Sequence, residues 1–195
     1  MYPKSLQNLI DDFKTLPGVG EKTAERYAFW VLDANSEFPN QFANDLVLVK
    51  QKIKYCDICG NITEGNVCSI CENEKRNKKA ICVVQQPKDV FAIEKTDYTG
   101  VYHVLHGALS TTKGVLPDDL NIRSLLRRIE QGVEEVIIAT NPTLDGETTA
   151  LYLTRILKDL DVNVSRLAHG LSMGSNLDYV DELTLIKAME GRIKQ

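Results

Sequence analysis

Val136-Ile137-Ile138-Ala139-Thr140-Asn141-Pro142-Thr143-Leu144-Asp145-Gly146-Glu147 is the stretch that decides the fold of this 195-residue chain. A short apolar run rich in β-branched residues ends a strand, and the segment after the Asn-Pro break opens a helix. Working outward, similar apolar runs lie at 80–85, 101–105 and 163–168, with this one at 135–140. Helical patterns fit between them near 89–95, 122–131 and 146–160. Strands spaced by helices predict a mainly parallel, doubly wound sheet over residues 79–174. Residues 175–195, with Tyr179-Val180 and an apolar run at 183–189, read as a terminal arm or helix.

Ahead of the sheet stand Cys56-Asp57-Ile58-Cys59 and Cys68-Ser69-Ile70-Cys71, two C-x-x-C pairs separated by eight residues. Each pair can grip one tetrahedral Zn2+ from a tight knuckle, with Gly60 and Gly65 letting the chain turn back. Four thiolates fill the coordination sphere, so this Zn2+, one per chain, is expected to be structural and to hold no catalytic water. A module this short, 55–78, has almost no apolar core and should depend on metal to fold. Cys82 sits inside the apolar run of the first strand and reads as core. The charged run Lys75-Arg76-Asn77-Lys78-Lys79 reads as a solvated linker.

Residues 1–54 read as three short helices. Leu6, Leu9, Ile10, Phe13 and Leu16 form one apolar stripe, Ala24, Tyr27, Ala28, Val31 and Leu32 a second, and Phe38, Phe42, Leu46, Val49 and Ile53 a third. Between the first two lies Leu16-Pro17-Gly18-Val19-Gly20, a turn whose glycines leave the backbone uncovered. The next helix would aim its free amides and positive dipole end at whatever lies over Gly18 and Gly20, a position that suits a DNA phosphate. Lys22 and Arg26, four apart, share a face opposite the Ala24, Tyr27, Val31 stripe and can reach the same backbone. Such contacts hold DNA without reading bases. An ordinary helical hairpin with two solvated basic residues is the alternative.

The run from Val136 to Glu147 resembles the Toprim motif of topoisomerases and primases, in which a strand leads into an Asp-x-Asp pair that binds Mg2+. The first strand, followed by Gln85-Gln86-Pro87, resembles the Toprim strand that ends in a catalytic glutamate. Here Gln85 stands at the glutamate position and Asn141 and Thr143 at the aspartate positions. A divalent metal on phosphate needs carboxylate ligands, and an amide is no general acid or base near neutral pH. A Toprim fold without catalytic residues is therefore expected. The competing reading, a metal-dependent phosphotransfer enzyme (nuclease, primase or topoisomerase-like), would have to use Asp145, Glu147 and Glu94. The fold class that emerges is modular α+β: helical hairpin domain, zinc knuckle, α/β Toprim domain and C-terminal arm.

The net charge of −4 advertises no nucleic-acid binding for the chain as a whole. Basic and acidic side chains balance in 1–54 and again in 55–79, so several copies or a partner would be needed to hold DNA well. No apolar run approaches a membrane span, and the first residues lack signal-peptide features, so a cytoplasmic protein without a membrane partner is expected. His103, His106 and His169 have no Cys or Ser arranged beside them and read as strand-end or loop residues. Phe29 and Trp30 fall outside the second stripe and mark either a contact surface or packing on the third helix or the zinc module.

The order hairpin, four-cysteine knuckle, Toprim, with Ala139-Thr140-Asn141-Pro142-Thr143 and Ala168-His169-Gly170, resembles the RecR recombination mediator family over essentially the whole chain. The resemblance implies a DNA repair and recombination adaptor that works with RecO and RecF, helping RecA replace single-strand binding protein on gapped DNA. It also implies a homo-oligomer, a tetrameric ring. One departure is Gln85, where these proteins usually keep an acidic residue.

Overall fold

The computed structural model describes residues 2–168, 170–171 and 174–192. It divides into two units, residues 1–53 and residues 54–195.

In the first unit α1 (Lys4–Lys14) and α2 (Glu21–Asp33) pack through Ile10, Ala24 and Ala28, with Leu6, Leu9, Phe13 and Val19 around them. Two alanines on the contact face of α2 leave room for the larger side chains of α1. The chain leaves α2 at Ala34, where the backbone becomes extended. Asn35 Oδ1 then accepts the Phe38 amide at 2.9 Å, and Pro39 lies in the first turn of α3 (Phe38–Lys52). The three expected helices form, but the third stripe finds no core: no residue of α3 is buried, and Leu46 and Val49 are 57% and 59% exposed. The second stripe is likewise narrower than expected, because Ala24 and Ala28 are buried while Tyr27 and Leu32 stay exposed.

The second unit opens with β1 (Lys54–Tyr55), antiparallel to β2 (Ile62–Thr63), and the short α4 (Ser69–Glu72). A parallel four-stranded sheet follows: β3 (Asn77–Val84), β4 (Gly100–Val104), β5 (Glu135–Ala139) and β6 (Asn163–Arg166), in the order β4-β3-β5-β6. Alternation sorts its side chains. Ile81, Val83, Val101, Val136 and Ile138 face α6 (Ile122–Glu130) and α7 (Leu144–Leu157), whereas Cys82, Val84, Tyr102 and Val104 face α5 (Pro87–Ile93). This is the mainly parallel sheet expected, with central strands apolar on both faces.

The ends differ from the sequence reading in places. β3 starts at Asn77, inside the segment read as a linker, because the Asn77 amide reaches Thr99 O at 3.0 Å. β6 stops at Arg166, where its pairing with Ile138 ends. At the open edge of the sheet, the Val104 amide of β4 donates to Cys59 O at 2.8 Å, so the four-cysteine segment covers an otherwise unpaired strand. After β6 come a 3-10 turn at Leu177–Tyr179 and α8 (Glu182–Glu190), capped by Asp181 accepting the Thr184 amide at 3.0 Å.

Candidate nucleic-acid interface and metal centre

The turn between α1 and α2 leaves its backbone uncovered. Gly18 has φ +78°, a conformation that favours glycine, and a Cβ at Gly18 or Gly20 would meet nothing within 4 Å. The backbone there is open to an approaching group. Gly20 caps α2 without a side chain, and the first helical bonds are those of the Thr23 and Ala24 amides to Gly20 O at 3.1 and 2.9 Å. The amides before them point outward at the positive end of the helix. Lys22 and Arg26 are both exposed on α2. Arg26 does not turn fully away from the apolar side, since its guanidinium lies 5.7 Å from the Tyr27 ring centre. It borders a groove formed with Phe13, Leu16, Tyr27, Trp30, Val31, Phe38 and Phe42. Phe29 packs edge-on against Tyr2 at 5.6 Å and Trp30 against Phe38 at 4.8 Å, yet Trp30 remains 58% exposed.

In the second unit Cys56, Cys59, Cys68 and Cys71 are all buried, and their sulfur atoms lie within 4.8 Å of one another. Cys59 Sγ and Cys68 Sγ are 3.6 Å apart, close to the edge of about 3.8 Å of a tetrahedron with Zn–S bonds of ~2.3 Å. The set fits one zinc ion. Backbone amides of Asn61 and Cys68 point at Cys59 Sγ and Cys56 Sγ, at 3.5 and 3.3 Å, the arrangement that supports thiolates. Gly60 turns with φ +75° and closes on Val104 O, His106 and Asn121. Gly65, expected to serve the same purpose, has no positive φ. Among the described residues this tetrad is the one group of His, Cys, Asp or Glu side chains gathered as for a metal.

At the ends of β3 and β5, Gln85 is buried and its Oε1 accepts both Asn141 N and Asn141 Nδ2, at 3.3 and 2.5 Å. Thr143 Oγ1 instead caps α7 by accepting the Gly146 amide at 3.1 Å. The carboxylates considered for metal chemistry are dispersed on separate cations. Asp145 pairs with Lys113 at 3.2 Å, Glu147 with Arg166 at 2.7 Å, and Glu94 with Arg76. Burial pushes the Glu94 carboxyl up, but bonds from Arg76 and the Tyr102 hydroxyl outweigh it and hold the group below its usual range.

Arg76 corrects the linker reading of its charged run. Besides Glu94 it donates to the carbonyls of Tyr98 and Gly100 at 3.2 and 3.0 Å, tying the end of the knuckle to the sheet. No local pattern distinguishes Arg76 from its basic neighbours, because its partners lie far along the chain. Cys82 is buried in the sheet, where burial pushes its thiol up to about 12 and leaves it inert. His103 is fully buried in β4, with Nε2 donating to Asn121 O at 2.6 Å and Nδ1 accepting from Arg128 at 3.3 Å. Burial pushes it down to about 4. The His106 ring lies tilted against the Tyr55 ring, with centres 4.2 Å apart, and His169 lies outside the described residues. Among the described residues no helix is long and apolar enough to cross a membrane.

A helical hairpin with an open glycine turn, a four-cysteine metal module and a parallel α/β sheet define a modular protein of helix-hairpin-helix, four-cysteine zinc-finger and Toprim parts. The family models that match describe the same parts: RecR, helix-hairpin-helix over 6–49; the RecR four-cysteine zinc finger domain over 53–73; Toprim domain over 79–168; and RecR, C-terminal over 170–193. Recombination protein RecR of Enterococcus faecalis is 51% identical over 193 residues, covering 98% of this chain and 98% of its own length. The chain belongs to the RecR family.

Proposed function

We propose that this chain is a non-enzymatic adaptor in recombinational DNA repair that binds DNA without regard to sequence. The observation that carries the reading is the uncovered Gly18–Gly20 backbone at the positive end of α2, with Lys22 and Arg26 exposed one turn apart. Phosphate meets the amides of the turn and the two cations together. The hairpin domain takes residues 1–54, the zinc module 55–78, the Toprim domain 79–174 and the arm 175–195. Cys56, Cys59, Cys68 and Cys71 ligate the zinc, which holds the module together and takes no part in a reaction.

The Toprim sheet is a scaffold. Gln85, Asn141 and Thr143 occupy the acidic positions of the Toprim motif, and their hydrogen bonds are internal. The family likeness supports a cytoplasmic role beside proteins of the RecO and RecF type, helping to load RecA on gapped or single-stranded DNA. The unburied apolar side chains of α2 and α3 support a homo-oligomer, in this family a tetrameric ring. Incubating purified protein with labelled DNA, Mg2+ and nucleotides tests the reading. DNA should be bound and recovered unchanged; cleavage, joining or synthesis would overturn the adaptor role in favour of phosphotransfer chemistry.

A further inference from the structure

Beside the cysteine tetrad lies a cavity of about 300 Å3 whose lining includes Cys71, Ile58, Lys78, Lys79 and Arg128. Arg128 comes from α6, in the Toprim part of the chain, and is partly buried. Its Nη1 donates to Tyr102 O at 2.6 Å and to His103 Nδ1 at 3.3 Å. Both partners are neutral, and among the described residues Arg128 pairs with no carboxylate. A guanidinium partly withdrawn from water is stabilised by a nearby anion. Burial holds the Arg128 guanidinium below its usual range, against the opposing pull of the cysteines, Cys71 foremost.

The tetrad has the opposite need. One Zn2+ on four thiolates leaves about two negative charges uncompensated, on sulfur atoms belonging to buried residues. Lys78 and Lys79 on the cavity lining are exposed, and Lys79 is already paired with Glu134 at 2.5 Å. Arg128 is the cation held in place by packing. We infer that Arg128 is the outer counter-charge of the zinc centre, positioned by α6 and fixed by the Tyr102 carbonyl and His103. The inference rests on the reading that the four cysteines hold zinc. It makes the Toprim part of the chain a contributor to metal affinity: a cation on α6 compensates a centre whose ligands all precede the sheet.

The test uses the full chain and the variants Arg128→Gln and Arg128→Lys, each confirmed folded by circular dichroism with zinc present. Zinc affinity is measured by competition with a chromophoric chelator at fixed pH. Loss of an outer partner typically weakens metal binding about 10–100-fold, so R128Q should lie in that range and R128K should stay within a few-fold of the parent. In cobalt-substituted protein the sulfur-to-cobalt charge-transfer band should move to lower energy in R128Q and stay in place in R128K. Equal behaviour of the two variants, or parent-like affinity in R128Q, would overturn the inference. Should R128Q fail to fold, Gln131→Glu adds a negative charge at an exposed position on the same cavity and should also weaken zinc binding; unchanged affinity there would overturn it as well. A parent chain that binds no zinc would instead defeat the four-cysteine reading, a result distinct from either.

Discussion

Lys22 and Arg26 are the side chains on which DNA affinity should depend most directly. A phosphate contact carries no base information, so replacing both with alanine should weaken binding about equally for unrelated sequences. The slope of log affinity against log salt should fall by up to about 2, near one for each contact removed, measurable by fluorescence anisotropy. His103 sets a different dependence. Its imidazole protonates near pH 6.5 in the unfolded chain but only near 4 in the fold, where burial opposes the charge. Between those values the unfolded chain binds more protons, so stability falls as pH drops from 6.5 to 4, by about 3 kcal/mol from this group. Above 6.5 the contribution is complete. Urea unfolding across this window should show the loss, and ring nitrogen NMR should find His103 neutral at pH 5; protonation near 6.5 would contradict it.

Among the elements, the knuckle is where local sequence speaks most clearly. Metal analysis of protein purified without added zinc should find about one zinc per chain, and Cys71→Ser should unfold the module. Gly60 and Gly65 offer a sharper comparison. A Cβ at Gly60 would meet His106 Nε2 at 2.8 Å and Val104 O at 3.1 Å on a backbone with φ +75°, so Gly60→Ala should cost about 1–3 kcal/mol in urea unfolding. At Gly65 the nearest atom is 3.5 Å away, and alanine should change stability by less than about 0.5 kcal/mol. The cysteine spacing could be read because all four ligands fall within sixteen residues. The strands were legible for a similar reason, as runs such as Val136–Ala139 are locally apolar. Strand order, the Gln85–Asn141 amide pair and the role of Arg76 depend on partners many residues away, which no local period encodes. The apolar stripe of α3 is also visible, but its periodicity does not say that residues 1–53 leave it uncovered.

For the whole molecule, exposed apolar surface and weak local charge point the same way. Trp30, Leu46 and Val49 are each more than half exposed, more than an isolated helical unit of this size leaves uncovered without a partner. Sedimentation at micromolar concentration should show a species well above 21.9 kDa, and Trp30→Glu with Leu46→Glu should shift it toward the monomer. Association would also answer the charge balance, because several hairpins acting on one DNA would gain affinity that a single copy lacks. The most direct test of the adaptor reading is the equilibrium binding of the full-length protein to labelled gapped DNA over a range of salt concentrations. Saturable binding, equal for unrelated sequences and falling linearly in log affinity with log salt, is the expected result. No binding at low salt, or affinity that depends on sequence and not on salt, would contradict the account.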